Sequence, residues 1–210
     1  MNEYDIVRRF EEEVAAWAGS KYAVAVSSCT NALFLACYYK FRWEEEVFGK
    51  CRHYVHIPKR TYPGVPCSII HAGGEVYFTD ETWRGVYQLR PYPIYDSAKR
   101  FMPNMYIKDS LYCLSFHIKK HLPIGRGGMI LTDDFKAVEW LKRARFDGRR
   151  EKPLIDDYFD VLGWNMYLTP EQAARGLQLF HCIRDTEDQE EIPDYPDLSR
   201  YPIYQQRKDK

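Results

Sequence analysis

The chain has 210 residues, 45% hydrophobic and 16% aromatic, which is enough to fill a core of ordinary size. Thirty Lys plus Arg balance thirty Asp plus Glu, so no general field draws it to nucleic acid or an anionic membrane, and partners must be selected by a local site. The six cysteines show neither C-x-x-C pairing nor zinc spacing, the N-terminus is charged, and no apolar run reaches the roughly 18 residues of a membrane span. The expectation is a cytoplasmic globular protein without a metal.

Ile6, Phe10, Val14 and Trp17 fall at helical spacing before Gly19, a C-cap residue, and predict an amphipathic first helix. Tyr22 to Val26 reads as a strand, Ser27 to Thr30 supplies cap residues, and Ala32 to Tyr39 continues as an apolar helix. Further strands are expected at His53 to Pro58, Glu75 to Asp80, Tyr92 to Asp96, Leu111 to His117 and Gly128 to Thr132. Val65 to Ala72 and the stretch marked by Phe135, Val138, Leu141 and Ala144 read as helices between them. Thr169-Pro170-Glu171-Gln172 is a capping box with proline at the first helical position, opening a helix through Ile183. The alternation predicts an α/β sheet over residues 1–183. Residues 184–210 form a polar tail with Pro193, Pro196 and Pro202, either disordered or docked through Tyr195, Tyr201 and Tyr204 on the body or on a second subunit.

Chemistry is concentrated at Ser115-Phe116-His117-Ile118-Lys119-Lys120, followed by Gly125-Arg126-Gly127-Gly128. A lysine just past an apolar strand is penalised as an ammonium by burial and by a cationic neighbour, which makes a nucleophilic amine available for a Schiff base. On these residues alone a Lys-Lys pair at a strand end is more often a solvated edge, and Ser28 and Thr30 could simply cap a helix.

Four separated segments occur in a familiar order: Ser27-Ser28-Cys29-Thr30-Asn31-Ala32, Thr61-Tyr62, Tyr95-Asp96-Ser97-Ala98-Lys99, and Ser115 to Gly128. Together with Gly163-Trp164-Asn165 and Gln172-Ala173-Ala174-Arg175-Gly176-Leu177, they make the chain resemble, from about Phe10 to Phe180, the DegT-type nucleotide-sugar aminotransferases, fold-type-I enzymes dependent on pyridoxal 5'-phosphate (PLP). The resemblance implies a compact aspartate aminotransferase-like large domain, with a mixed, mainly parallel sheet flanked by helices. It implies Lys120 as the Schiff-base lysine and proton carrier, and Asp96 as the carboxylate that keeps the pyridine nitrogen protonated. Cys29, Thr30 and Ser115 would cradle the phosphate, Tyr62 would face the cofactor ring, and Asn165 would reach the phosphate of a neighbouring subunit in a homodimer with shared sites. The expected substrates are an amino donor, L-glutamate, and a keto sugar, nucleotide-linked.

The chain departs from the pattern at five places. Cys29 replaces the usual glycine, Lys99 the usual glutamine and Arg126 the usual glutamate, and the stretch between Asp80 and Asp96 is contracted, as is the C-terminal region. Lys99 would stand near the cofactor's phenolic oxygen, whereas Arg126 either binds an anionic substrate group or faces solvent. Two other functions remain compatible: a binding descendant that keeps the fold without turnover, and a PLP-dependent sugar dehydratase, in which a histidine takes the place of Lys120.

Overall fold

A computed structural model describes residues 4–183 and 194–204. The first helix, α1 (Asp5–Ala18), buries Val7, Phe10, Val14 and Ala18. It ends at Gly19, whose φ of +86° is the left-handed cap conformation and whose N–H returns to the Ala15 carbonyl. After β1 (Tyr22–Val26), α2 (Cys29–Phe48) runs nine residues beyond the expected end, because Phe41 turns inward while Arg42, Trp43 and Glu46 face outward and continue the helix. Next come β2 (Tyr54–Pro58), α3 (Gly64–His71), β3 (Glu75–Thr79), β4 (Tyr87–Gln88), β5 (Ile94–Ser97), β6 (Leu111–Ser115) and β7 (Gly128–Thr132). The chain then forms α4 (Phe135–Ala144) and α5 (Pro170–Phe180), the latter opened by the expected Thr169–Gln172 capping box.

The main sheet has the order β1-β7-β6-β5-β4, and β2 pairs with β3 in a separate two-stranded ladder. The α/β class and the mixed sheet agree with expectation. Parallel pairing is less dominant than expected: β5–β6 and β2–β3 are parallel, while β1–β7, β7–β6 and β5–β4 are antiparallel. The reason is topological. β4 and β5 form a tight hairpin, and β7 returns directly beside β6 without the crossover helix that parallel neighbours need. Two hydrogen bonds between His56 and Arg90 carry the end of that hairpin onto β2.

Both faces of the main sheet are covered. Val24, Val26, Leu111, Cys113 and Ile130 pack towards α2 and α4, whereas Ala23, Ala25, Tyr112, Leu114, Met129 and Leu131 pack towards α1 and α5. This explains why the strands read as continuous apolar runs rather than as alternating ones. A buried Glu11–Arg145 ion pair fastens α1 to the sheet, with Glu11 also accepting the Ala25 N–H at 2.8 Å.

Of the tail, residues 194–204 dock on the body, while 184–193 and 205–210 lie outside the described residues. Leu198 is 2% exposed and its N–H donates to the Lys59 carbonyl at 2.8 Å. Asp197 faces Lys59 at 3.6 Å, and Tyr204 meets Phe78 edge-on. None of the described helices is long and apolar enough to cross a membrane, and none of the six cysteines is disulfide-bonded.

Candidate active site

A cavity of about 640 Å³ opens where the C-terminal ends of β1, β5 and β6 meet the start of α2. Ser28 is the extended N-cap of α2, and its hydroxyl accepts from Asn31 N–H at 3.1 Å. Cys29 and Thr30, next in line, carry first-turn amides that a helix leaves without internal partners, and both line the cavity. Gly128 allows this start to sit hard against β7. A Cβ there would lie 2.4 Å from the Ser28 carbonyl carbon and 2.6 Å from the Cys29 nitrogen.

Asp96, on β5, is 3% exposed. Its Oδ2 accepts from the Tyr87 hydroxyl at 2.9 Å and its Oδ1 from the Ala98 N–H at 2.9 Å. Since Tyr87 donates to Asp96, the 2.6 Å contact between the Tyr87 and Thr61 hydroxyls is donated by Thr61. Burial pushes the Asp96 carboxyl upward, while the Ala98 amide, the Tyr87 hydroxyl and the Lys120 charge oppose that rise. The Cys29 thiol, 4.0 Å from Asp96, is pushed well up by burial and then by Asp96, so it is a neutral group.

Lys120 follows β6 in a loop closed by Phe116 N–H to the Gly127 carbonyl and Ile118 N–H to the Gly125 carbonyl. Half-buried in the cavity wall, it has its ammonium lowered by burial and by Lys99, against the opposing pull of Asp96 and Cys29. Lys119 is exposed at the same cavity, so the pair is not a simple solvated edge. Ser115 ends β6 opposite Gly128 and also lines it.

The structure therefore brings Cys29, Thr30, Tyr62, Asp96, Lys99, Ser115 and Lys120 to one cavity. Asn165 lies elsewhere, exposed and donating to Asp147 at 3.0 Å beside a separate hollow. Arg126 is exposed at the cavity lip, where its Nε donates to the Ser27 carbonyl at 3.2 Å. Three aromatic residues were absent from the site expected from sequence. Tyr87 holds Asp96; Trp83 and Tyr195 line the wall, stacked at 6.3 Å and 12°, with Tyr195 also edge-on to Tyr62 at 6.4 Å. The Trp83 indole donates to the Arg60 carbonyl, and Arg60 in turn donates to that of Tyr195.

The chain has recognisable relatives. It is similar to the spore coat polysaccharide biosynthesis protein SpsC of Bacillus subtilis strain 168, 27% identical over 230 residues, spanning 88% of this chain and 59% of SpsC. Among solved structures, the sugar aminotransferase CalS13 of Micromonospora echinospora superposes with a TM-score of 0.68 at 17% identity, over 85% of this chain and 61% of that one. PseC of Helicobacter pylori, an aminotransferase involved in the biosynthesis of pseudoaminic acid, superposes with a TM-score of 0.66 at 17% identity, over 85% and 58%. This chain thus spans about three fifths of the length of these relatives, and the solved structures establish its fold. The DegT/DnrJ/EryC1/StrS aminotransferase family model matches residues 1–87 and 107–192; the interval between them holds Asp96 and Lys99, whose place at the cavity comes from the structure. With most of its length matched, the chain belongs to the DegT/DnrJ/EryC1/StrS aminotransferase family.

Proposed function

We propose that the chain is the PLP-binding part of a sugar aminotransferase that moves an amino group from L-glutamate to a nucleotide-linked keto sugar. The observation that carries this reading is the convergence of Lys120, the buried Asp96 and the start of α2 on one cavity. The donor set fits the cofactor. First-turn amides at Cys29 and Thr30, with the Ser28 and Ser115 hydroxyls nearby, suit a dianionic phosphate, and a buried carboxylate held by two donors suits a protonated ring nitrogen. When bound, PLP would supply an aldehyde carbon that condenses with amines and a ring that withdraws electrons from the carbon losing its proton.

The protein's own groups then divide the work. Lys120, whose ammonium is disfavoured by burial and by Lys99, would hold the cofactor's aldehyde carbon through its Nζ, and the same Nζ would carry the proton between the substrate carbon and cofactor C4'. Asp96 would retain its charge opposite the ring nitrogen, with Tyr87 and Thr61 fixing its carboxylate plane. The aromatic wall of Tyr62, Trp83 and Tyr195 excludes water from one side, and Lys99, Lys119 and Arg126 set a cationic lip suited to an anionic acceptor. The acceptor class is supported by the names of two relatives, SpsC in polysaccharide biosynthesis and CalS13 as a sugar aminotransferase.

A homodimer belongs to the same reading. Asn165 is exposed and away from the cavity of its own chain, which suits a residue that serves the phosphate of a neighbouring subunit. The test of turnover is a half-reaction: PLP-loaded protein mixed with L-glutamate should release 2-oxoglutarate in amounts equal to the bound cofactor, and Lys120→Ala should release none. Cofactor binding without any 2-oxoglutarate would instead support the non-catalytic binding descendant.

A further inference from the structure

Outside the cavity, Glu44, Cys51 and His53 bring a carboxylate oxygen, a thiol sulfur and a ring nitrogen within 4.8 Å of one another. We propose that these three residues form a zinc-type metal site at the far end of α2. A carboxylate, a thiolate and an imidazole together favour zinc over magnesium or calcium, which prefer oxygen donors alone.

The geometry is close to what coordination requires. His53 Nδ1 stands 3.1 Å from Glu44 Oε2 and 4.0 Å from Cys51 Sγ. Tetrahedral zinc, with bonds of about 2.0–2.3 Å, places such donor pairs roughly 3.3–3.6 Å apart. Cys51 is exposed, so a change of its side-chain rotamer closes the remaining gap.

The surroundings hold the other two donors in place. The His53 ring is buried and stacks on Phe41 at 4.3 Å and 5°. Without a metal, Nδ1 meets Glu44 Oε2 at 3.1 Å and the Tyr92 hydroxyl at 3.2 Å; with a metal on Nδ1 the ring proton would sit on Nε2, which faces Glu45 Oε1 at 3.6 Å. The Tyr92 hydroxyl donates to Glu44 Oε2 at 2.8 Å and orients that carboxylate. The site also lies at the C-terminal end of α2, where the helix carbonyls favour a cation.

On binding, the Cys51 thiol loses its proton to solvent, and the thiolate and the Glu44 carboxylate neutralise the two charges of the metal. Three protein ligands leave a fourth position for water on the exposed side. The metal would tie the end of α2 to the segment leading into β2, at the opposite end of the helix from Cys29 and Thr30. The proposal is independent of the reaction assigned to the cavity.

Cobalt(II) provides the test, because a cysteine ligand adds a thiolate-to-metal charge-transfer band to tetrahedral cobalt spectra. Reduced full-length protein, stripped with chelator and desalted, is titrated with cobalt(II), and zinc affinity is then measured by displacement. The expected result is one equivalent of cobalt with that band, which C51S abolishes and C182S, altering the other exposed cysteine, leaves intact. Glu45→Gln should keep the band but weaken zinc binding about 10- to 100-fold, as loss of an orienting partner does. No charge-transfer band in the unaltered chain, or a band that survives C51S, would overturn the proposal.

Discussion

The Tyr87 hydroxyl donates to Asp96 Oδ2 at 2.9 Å while accepting from Thr61 at 2.6 Å, so the buried carboxylate at the cavity is held by a relay from two elements. Tyr87→Phe removes both bonds and leaves the Thr61 hydroxyl buried without its partner. A hydrogen bond to a charged group is worth about 1.5–3 kcal/mol. The expected outcome is PLP binding weaker by about tenfold or more, read by fluorescence titration, with lower stability in urea. Unchanged PLP affinity would remove Tyr87 from the site.

Lys99 adds to the lowering of the Lys120 ammonium. Removing its charge in Lys99→Gln should let the Lys120 pKa rise, so PLP attachment, which needs the neutral amine, moves its pH midpoint in the alkaline direction. In both proteins the midpoint should stay below that of free lysine, about 10.4. A pH profile identical in wild type and variant would contradict this role.

The same lowered pKa has a consequence for stability. Between the folded and unfolded pKa of Lys120 the unfolded chain binds more protons, so the cofactor-free protein should gain stability as pH rises through that window. At lower pH the buried ammonium carries its full penalty. Lys120→Met should flatten this part of the curve of urea midpoint against pH.

Gly128 faces the Ser28 carbonyl carbon and the Cys29 nitrogen, both backbone atoms with no freedom to rotate away. Gly128→Ala must push α2 off β7. We expect a loss of about 1–3 kcal/mol, the usual range for overpacking, together with impaired PLP binding. A variant with wild-type stability and affinity would show that the contact is slack.

Leu198 anchors the docked tail segment that carries Tyr195 to the cavity wall. Leu198→Ala should cost about 2 kcal/mol, at the low end for a buried leucine on the periphery. Tyr195→Ala should leave stability nearly intact and loosen PLP or acceptor binding several-fold. If instead Tyr195→Ala unfolds the protein and leaves ligand affinity untouched, the residue is only structural.

Much of this was legible from the chain itself, for identifiable reasons. Gly19 marked the end of α1 because a left-handed cap favours glycine, and Thr169 to Gln172 marked the start of α5 because a capping box is local. β7 matched over its full length since glycine and an aspartate bound its apolar run. Strand direction was less readable: the antiparallel placement of β4 and β7 is a property of topology, not of side-chain periodicity. Tyr87 escaped notice because a two-residue strand shows no period, and Tyr195 because its place at the cavity depends on a docking contact made by Leu198. Those residues that meet the cavity from loops and helix starts, Thr30 and Lys120 above all, were found through resemblance to the family, since capping and anion binding draw on the same residue types.

The central claim is that Lys120 carries PLP, and peptide mapping after reduction tests it most directly. The protein is incubated with PLP, reduced with borohydride and digested. A single pyridoxyl modification on Lys120, absent from Lys119 and Lys99 and lost in Lys120→Ala, is the predicted result. Modification of another lysine with Lys120 untouched, or no stable adduct under saturating PLP, would contradict the account.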